Sequence, residues 1–366
     1  MPGKKPIAAV EFSGIRDVVE TSHAVEHYLD GLDENLKINI LSQSDEQVVF
    51  ELVGVDASIA NALRRVLIAE VPTMAISTVF MNNNTSVMQD EVLCHRLGLI
   101  PIKADANDFD YICPPGENGH NRSDFTDKNS LKFNLRVTCP SLSELQKAAN
   151  NRNVEYLTVY SQSLELEKLG RQLDLPEGQI GLVHDDIILT KLAPGQAIDL
   201  ECYATKGVGE DHAKWSPVCT AVYRMRPSIR FPKPLVGEDA ERMKQTCPMG
   251  VFDIEDIGGE KTLHVAHDLN CTMCRECIRL PENREKVQLG VIRNDFIFSV
   301  ESTGCVSAKS LVPRALEVLK QKCETIIKEL EELENGVPME EEDEEEKKIM
   351  VEEEEEEEEG MKMEKE

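Results

Sequence analysis

One stretch limits the possible fold more than any other. Between Ser307 and Leu333, apolar residues recur nearly every 3.5 positions, at Leu311, Ala315, Val318, Leu319, Ile326, Leu330 and Leu333. That spacing predicts a long helix, starting between Ser307 and Val312 and ending near Leu333. Pro313 is expected in its first turn, where a missing N–H is harmless. A heptad-like stripe of three or more turns needs an apolar cover. The chain's own domain or a helix of another subunit would both supply it. Beyond Gly336 the pattern stops. Residues 340–366 hold 17 acids against 4 lysines, a net of −13 out of −28 for the whole chain. Such a run repels itself and buries no core, so 336–366 is expected to be a disordered acidic tail. The rest still carries −15, which argues against a free-standing, sequence-independent clamp on DNA or RNA.

Upstream, the signals alternate between strand and helix, which predicts an α+β fold. Residues 1–35 are polar and weakly patterned. They read as an extended arm with a short helix near His23 to Leu29. Strand patterns begin at Leu36 and again over Gln47 to Val53. A helix follows over Ser58 to Glu70, capped by Asp56 or Ser58 and stopped by Pro72. A strand over Met74 to Met81 is expected to end in an Asn82-Asn83-Asn84 turn. A second helix runs over Val87 to Leu97, with Gly98 as a left-handed cap. The stretch from Lys103 to Ser130 reads as loop. Strand-like runs return at Leu131 to Thr138, Val154 to Ser161, Ile187 to Lys191 and Ala197 to Lys206, and a last one lies at Phe296 to Glu301. No apolar run approaches the roughly 20 residues of a membrane span, and no signal-peptide core is visible. A soluble intracellular chain is expected, so its 11 cysteines should be mostly reduced thiols.

The helix over Ser58 to Glu70 is rich in alanine and carries adjacent Arg64 and Arg65. Alanines permit close backbone approach, and an arginine pair offers bidentate contacts to carboxylates. An ordinary surface helix would also account for it. Together with Asn84-Thr85-Ser86, the block Gln89-Asp90-Glu91-Val92-Leu93-Cys94-His95-Arg96-Leu97-Gly98-Leu99-Ile100-Pro101-Ile102, Lys214-Trp215-Ser216-Pro217, Asn270 to Cys277 and Phe296 to Gly304, this helix resembles the α-type assembly subunits of multisubunit DNA-dependent RNA polymerases. Within that family the chain is most similar to the α-like subunit shared by eukaryotic polymerases I and III. The polymerase II relative typically carries a zinc-binding cysteine cluster after the second helix, where this chain has only Cys113.

The resemblance spans about Leu36 to Leu333 and carries several implications. The fold would be a discontinuous dimerisation domain, 36–97 plus 286–335. An insert domain, 98–285, would be mainly β and contain a small ferredoxin-like subdomain at 247–280. The chain would pair with a smaller α-like subunit through Leu311, Ala315, Val318, Leu319, Ile326 and Leu330. The second-largest subunits of polymerases I and III would dock on Asn61, Arg64, Arg65, His95 and Arg96. DNA would be met only through the complex, in nucleolus and nucleoplasm, with catalysis residing in the two largest subunits.

Cys271-x2-Cys274-x2-Cys277 matches the first three cysteines of a bacterial ferredoxin run. The fourth position is Pro281, but Cys247-Pro248 upstream offers another thiol. The resemblance implies a 4Fe–4S cluster on Cys247, Cys271, Cys274 and Cys277, since some family members have this layout and others have lost it. Zinc and an empty site remain open on the residues alone. His264 with His267, and Asp185 with Asp186, read as packing and a solvated turn. No phosphate loop, Ser-His-Asp set or Asp-x-Asp-x-Asp triplet is present. The rival functions are an iron–sulfur redox or oxidation-sensing protein and an acidic histone-binding protein.

Overall fold

A computed structural model of the chain describes residues 7–12, 15–16, 35–112, 124–150, 153–176, 178–257 and 259–334. The expected helix at His23 to Leu29, Cys113 and the acidic tail lie outside these residues. The chain divides into a large unit, Met1–Ala315, and a small one, Leu316–Glu366.

The arm contributes two short strands, β1 (Ile7–Val10) and β2 (Ile15–Arg16). β1 pairs with a distant strand, Ile7 opposite Ile292, so this part of the extended arm joins a sheet. β3 (Lys37–Gln43) and β4 (Gln47–Val53) form a hairpin. In β4 the alternation works as read. Val48, Phe50 and Leu52 enter the core on one face. Next comes α1 (Ala57–Ala69), with Asp56 Oδ2 accepting from the Ser58 N–H at 2.9 Å as an N-cap. Ala60, Leu63, Val66 and Leu67 are its buried stripe.

β5 (Thr73–Asn84) runs longer than expected. Its Asn82-Asn83-Asn84 end is strand, not turn, because the ladder continues to the Ile198–Asn84 pair. The turn comes just after, where Asn84 Oδ1 accepts from the Ser86 N–H at 3.1 Å. α2 (Asp90–Gly98) includes Gly98 in ordinary helical conformation, so the left-handed cap is absent. Gly98 instead permits close approach: a Cβ there would lie 3.3 Å from the Ile76 carbonyl oxygen.

The central region holds β6 (Ile102–Lys103), β7 (Ser130–Thr138), α3 (Leu142–Ala148), β8 (Leu157–Tyr160), β9 (Leu164–Glu167), β10 (Gly181–Leu182), β11 (Ile188–Leu192) and β12 (Ala197–Gly207). One sheet has the order β5-β12-β7-β9. Its core joins Met74 and Ile76 of β5 and Leu93 and Leu97 of α2 to Phe133, Leu135 and Leu200. β5 and α2 therefore pack with the central sheet.

The chain then adds β13 (Val218–Arg230), α4 (Glu238–Thr246), β14 (Phe252–Ile257), β15 (Glu260–Val265), α5 (Pro281–Arg284), β16 (Gln288–Ser302) and α6 (Ala308–Glu334). β16 is far longer than the run Phe296 to Glu301 and organises a six-stranded sheet. It pairs with β1 and β4, and with β13. β13 was not expected as a strand. Pro227 breaks its pattern, and it is accommodated at a register shift between Met225 and Pro227. Phe50 stacks on Phe298 with centroids 5.0 Å apart at the centre of this sheet. Between β13 and β16, α4 and the β14–β15 hairpin build a small separate core around Leu235, Met243, Val251, Phe252 and Ile278. Pro313 lies inside α6, beyond the first turn expected for it.

Candidate functional site

Four of the motif segments meet at one joint. The Trp215 indole N–H donates to the Thr205 carbonyl at 3.0 Å, and Thr73 Oγ1 donates to the Trp215 carbonyl at 2.6 Å. Lys214 Nζ lies 4.2 Å from the Trp215 ring and donates to the Ile76 carbonyl at 3.1 Å. Burial holds the Lys214 pKa below the usual lysine range. Thr303, from the Phe296 to Gly304 motif, binds the Pro217 carbonyl through its N–H at 3.0 Å and its hydroxyl at 3.1 Å. Gly207 is required here, since a Cβ would sit 2.4 Å from the Trp215 ring. The same segments line an open cleft of about 300 Å³, bordered by Met74, Leu99, Pro101, Lys214, Thr303 and Cys305. The Glu210 N–H donates to the Ala69 carbonyl at 2.8 Å, which ties the joint to the end of α1.

The expected docking residues divide by environment. Arg64 is half-buried and preorganised, its Nε and Nη2 donating to Asn61 Oδ1 at 3.2 and 2.9 Å. Neither group has a carboxylate partner among the described residues. Arg65 is exposed beside them. His95 is exposed on α2, its ring 6.5 Å from that of His212. Arg96 differs: Nε donates to the Leu189 carbonyl at 3.0 Å and Nη2 to the Ile188 carbonyl. It clamps β11 to α2, so the structure gives it an internal bracing role.

The stripe on α6 divides too. Leu311 and Ala315 are fully buried within the large unit, where the chain's own core covers them. Val318 and Leu319 are half-buried, and Ile326 and Leu330 are exposed. Nothing in a 3.5-residue period distinguishes the turns a chain covers itself from those it leaves open.

Cys247, Cys271, Cys274 and Cys277 line one pocket with Ile229, Val251, Phe252 and Leu289. Cys271 and Cys277 are buried and Cys274 is exposed. Burial, together with the neighbouring sulfurs, pushes the Cys277 thiol up to about 12, and burial raises Cys271 as well. Met273 and Arg275 adopt positive φ of 57° and 66°, winding the segment tightly between its cysteines. Sulfur donors and apolar walls suit a soft metal centre chemically. Among the described residues, however, no three His, Cys, Asp or Glu side chains form a metal-binding group. The thiols border a pocket without closing on one point.

Sequence reasoning missed what holds this segment to the sheet. Arg224 Nη1 donates to the Cys271 carbonyl at 3.0 Å and Nη2 to the Leu269 carbonyl. Arg226 pairs with Asp268 at 2.9 Å and with Glu51 of β4, which is 4% exposed. Asn39 donates to Glu51 at 2.9 Å. Burial works to raise the Glu51 pKa. The Asn39 hydrogen bond and the Arg226 charge outweigh it and hold the carboxyl below its usual value. The available signal was the two-residue spacing of Arg224 and Arg226, which puts both on one face of a strand.

Residues 49–323 match the RNA polymerase Rpb3/Rpb11 dimerisation domain. The chain belongs to that family. In Dictyostelium discoideum it is 42% identical to DNA-directed RNA polymerases I and III subunit rpac1, over 84% of this chain and 85% of that protein. The Homo sapiens subunit RPAC1 is also 42% identical, over 82% of this chain and 86% of its own. The Dictyostelium RNA polymerase II subunit rpb3 is 33% identical, over 78% of this chain and 92% of that protein. Compared within one organism, the chain is more similar to the type shared by polymerases I and III.

Proposed function

We propose that this chain is the non-catalytic assembly subunit shared by RNA polymerases I and III. It pairs with a smaller α-like subunit and presents α1 and its neighbours to the second-largest subunit of each enzyme. It meets DNA only through the complex and works in the nucleus, in nucleolus and nucleoplasm. The observation that carries this reading is the joint. Segments up to 230 residues apart, each part of the family resemblance, converge beside Trp215, next to a helix whose Asn61–Arg64 pair and Arg65 lack a carboxylate partner among the described residues. A redox protein built on the four cysteines is the weaker reading, because the relatives above are polymerase subunits.

The four thiols would hold a 4Fe–4S cluster in a structural role. The two-residue spacing of Cys271, Cys274 and Cys277 supports a cubane over zinc, as in ferredoxin runs. Such a centre would supply covalent cross-links for a subdomain with a small apolar core.

The test is a pull-down of the tagged full chain from nuclear extract. The largest subunits of polymerases I and III should be recovered, with that of polymerase II absent. Recovery of polymerase II alone, or of no polymerase, overturns the reading. Arg64→Ala with Arg65→Ala should retain the small subunit and lose the second-largest one.

A further inference from the structure

The cysteine pocket is nearly full. Its free volume is about 10 Å³, the lower limit for holding one water. Nothing larger reaches the buried sulfurs unless part of the wall moves. Most of that wall is fixed. Ile229 and Leu289 belong to β13 and β16 of the six-stranded sheet, and Val251 and Phe252 to the small core. Residues 272–275 are the exception. They form neither helix nor strand, and they link Cys271 to the short turn that carries Cys277. Arg275 also stands at a positive φ of 66°, where a residue with a Cβ stays only if its surroundings hold it.

Part of that hold comes from the N-terminal arm. Arg275 Nη1 donates to the Phe12 carbonyl at 3.1 Å. The Arg284 guanidinium, at the end of α5, lies 5.4 Å from the centre of the Phe12 ring, within cation–π range. Arg284 Nε donates in turn to the Ile278 carbonyl at 3.4 Å, so one arginine grips both the arm and the residue after Cys277. Val10 packs on the small core. The arm itself is lightly anchored. β1 has three register pairs with β16 and two with β2, and Phe12 is 45% exposed. A short terminal strand of this kind opens at lower cost than the sheet it lies on.

We infer that residues 7–12 are a strap that closes the cysteine pocket. With Phe12 seated on Arg275 and Arg284, soft metal ions and thiol-reactive electrophiles are kept from Cys271 and Cys277, and they enter when the arm lifts. The strap acts on the thiols themselves, whichever metal they hold. The experiment uses the full chain, reduced and stripped of metal with a chelator, and follows N-ethylmaleimide labelling of each cysteine by mass spectrometry. Cys323, exposed on α6, is the reference. In the wild type Cys271 and Cys277 should react far more slowly than Cys323, and equal rates overturn the strap. Phe12→Ala should speed Cys271 and Cys277 about tenfold, equivalent to about 1.4 kcal/mol less opening free energy, and leave Cys323 unchanged. A folded variant whose buried thiols react within about twofold of wild type overturns the inference. Hydrogen exchange on the wild-type chain avoids any question of variant folding. In rising urea, the β1 amides should lose protection at the concentration where Cys271 and Cys277 become reactive, below the one that opens β16. Amides of β1 that stay protected after those thiols have reacted overturn the strap.

Discussion

Replacing Arg226 with alanine should destabilise the chain in a pH-dependent way whose sign follows from Glu51. Arg226 is the charge between Glu51 on β4 and Asp268 at the entrance to the cysteine segment. Breaking a buried pair by removing one partner typically costs about 3–5 kcal/mol. The Arg226 side chain is 30% exposed, so water can partly take its place, and about 2–3 kcal/mol is the expected loss at neutral pH. In the wild type the folded pKa of Glu51 is depressed. Its contribution is present above the unfolded value near 4.3 and is lost as pH falls through the folded value. In Arg226→Ala the burial and the Asn39 hydrogen bond stay and the Arg226 charge goes, so the folded pKa rises. The ionised carboxylate is then less favoured at pH 7 than in the wild type, and protonation removes the difference. The gap between variant and wild type should therefore be widest at pH 7 and shrink towards pH 4. Urea unfolding of the full chain followed by circular dichroism at both pH values measures it. Glu51→Gln combined with Arg226→Met should recover more than half of the loss. A gap equal at both pH values, or below about 0.5 kcal/mol at pH 7, would refute the role given to this pair.

Leu311→Ala should cost about 2–5 kcal/mol of stability as a buried truncation, whereas Ile326→Ala should leave the isolated chain unchanged and weaken pairing with the small subunit. Gly207→Ala should push the indole out of place and cost about 1–3 kcal/mol, with a shift in the emission of the single tryptophan. Anaerobically purified protein should absorb broadly near about 400 nm and carry about four irons, and Cys274→Ser should remove both signals. Colourless protein with one zinc would select the other metal.

Elements with a single dominant period were legible from sequence. β4 occupies Gln47–Val53 as read, and α1 lies within one residue of its expected bounds, because alternation and helical spacing there coincide with real burial. Where tertiary pairing decides, the reading failed. Asn82 to Asn84 favour turns in isolation, but Asn83 pairs with Asp199 and Asn84 with Ile198, which keeps them in the ladder with Asn82 at a register shift. β13 looked irregular because Arg224, Arg226 and Pro227 interrupt it, yet two of those residues are there to grip the cysteine segment. What the Arg96 guanidinium meets within the chain, two backbone carbonyls of β11, depends on a strand path that no motif encodes.

The excursion that carries the cysteines has a topological property of its own. The chain leaves the sheet after Arg230 and re-enters it at Gln288, and these two residues are direct register partners. Residues 231–287 thus hang from adjacent strand ends about 5 Å apart, like a cassette plugged into a hairpin. A short turn could bridge the same gap without disturbing the ladder. Relatives can therefore enlarge, trim or rewire this module by insertion and deletion while the sheet beneath is inherited intact. The arginines on β13 then become the adaptor, the part that must change whenever the cassette does.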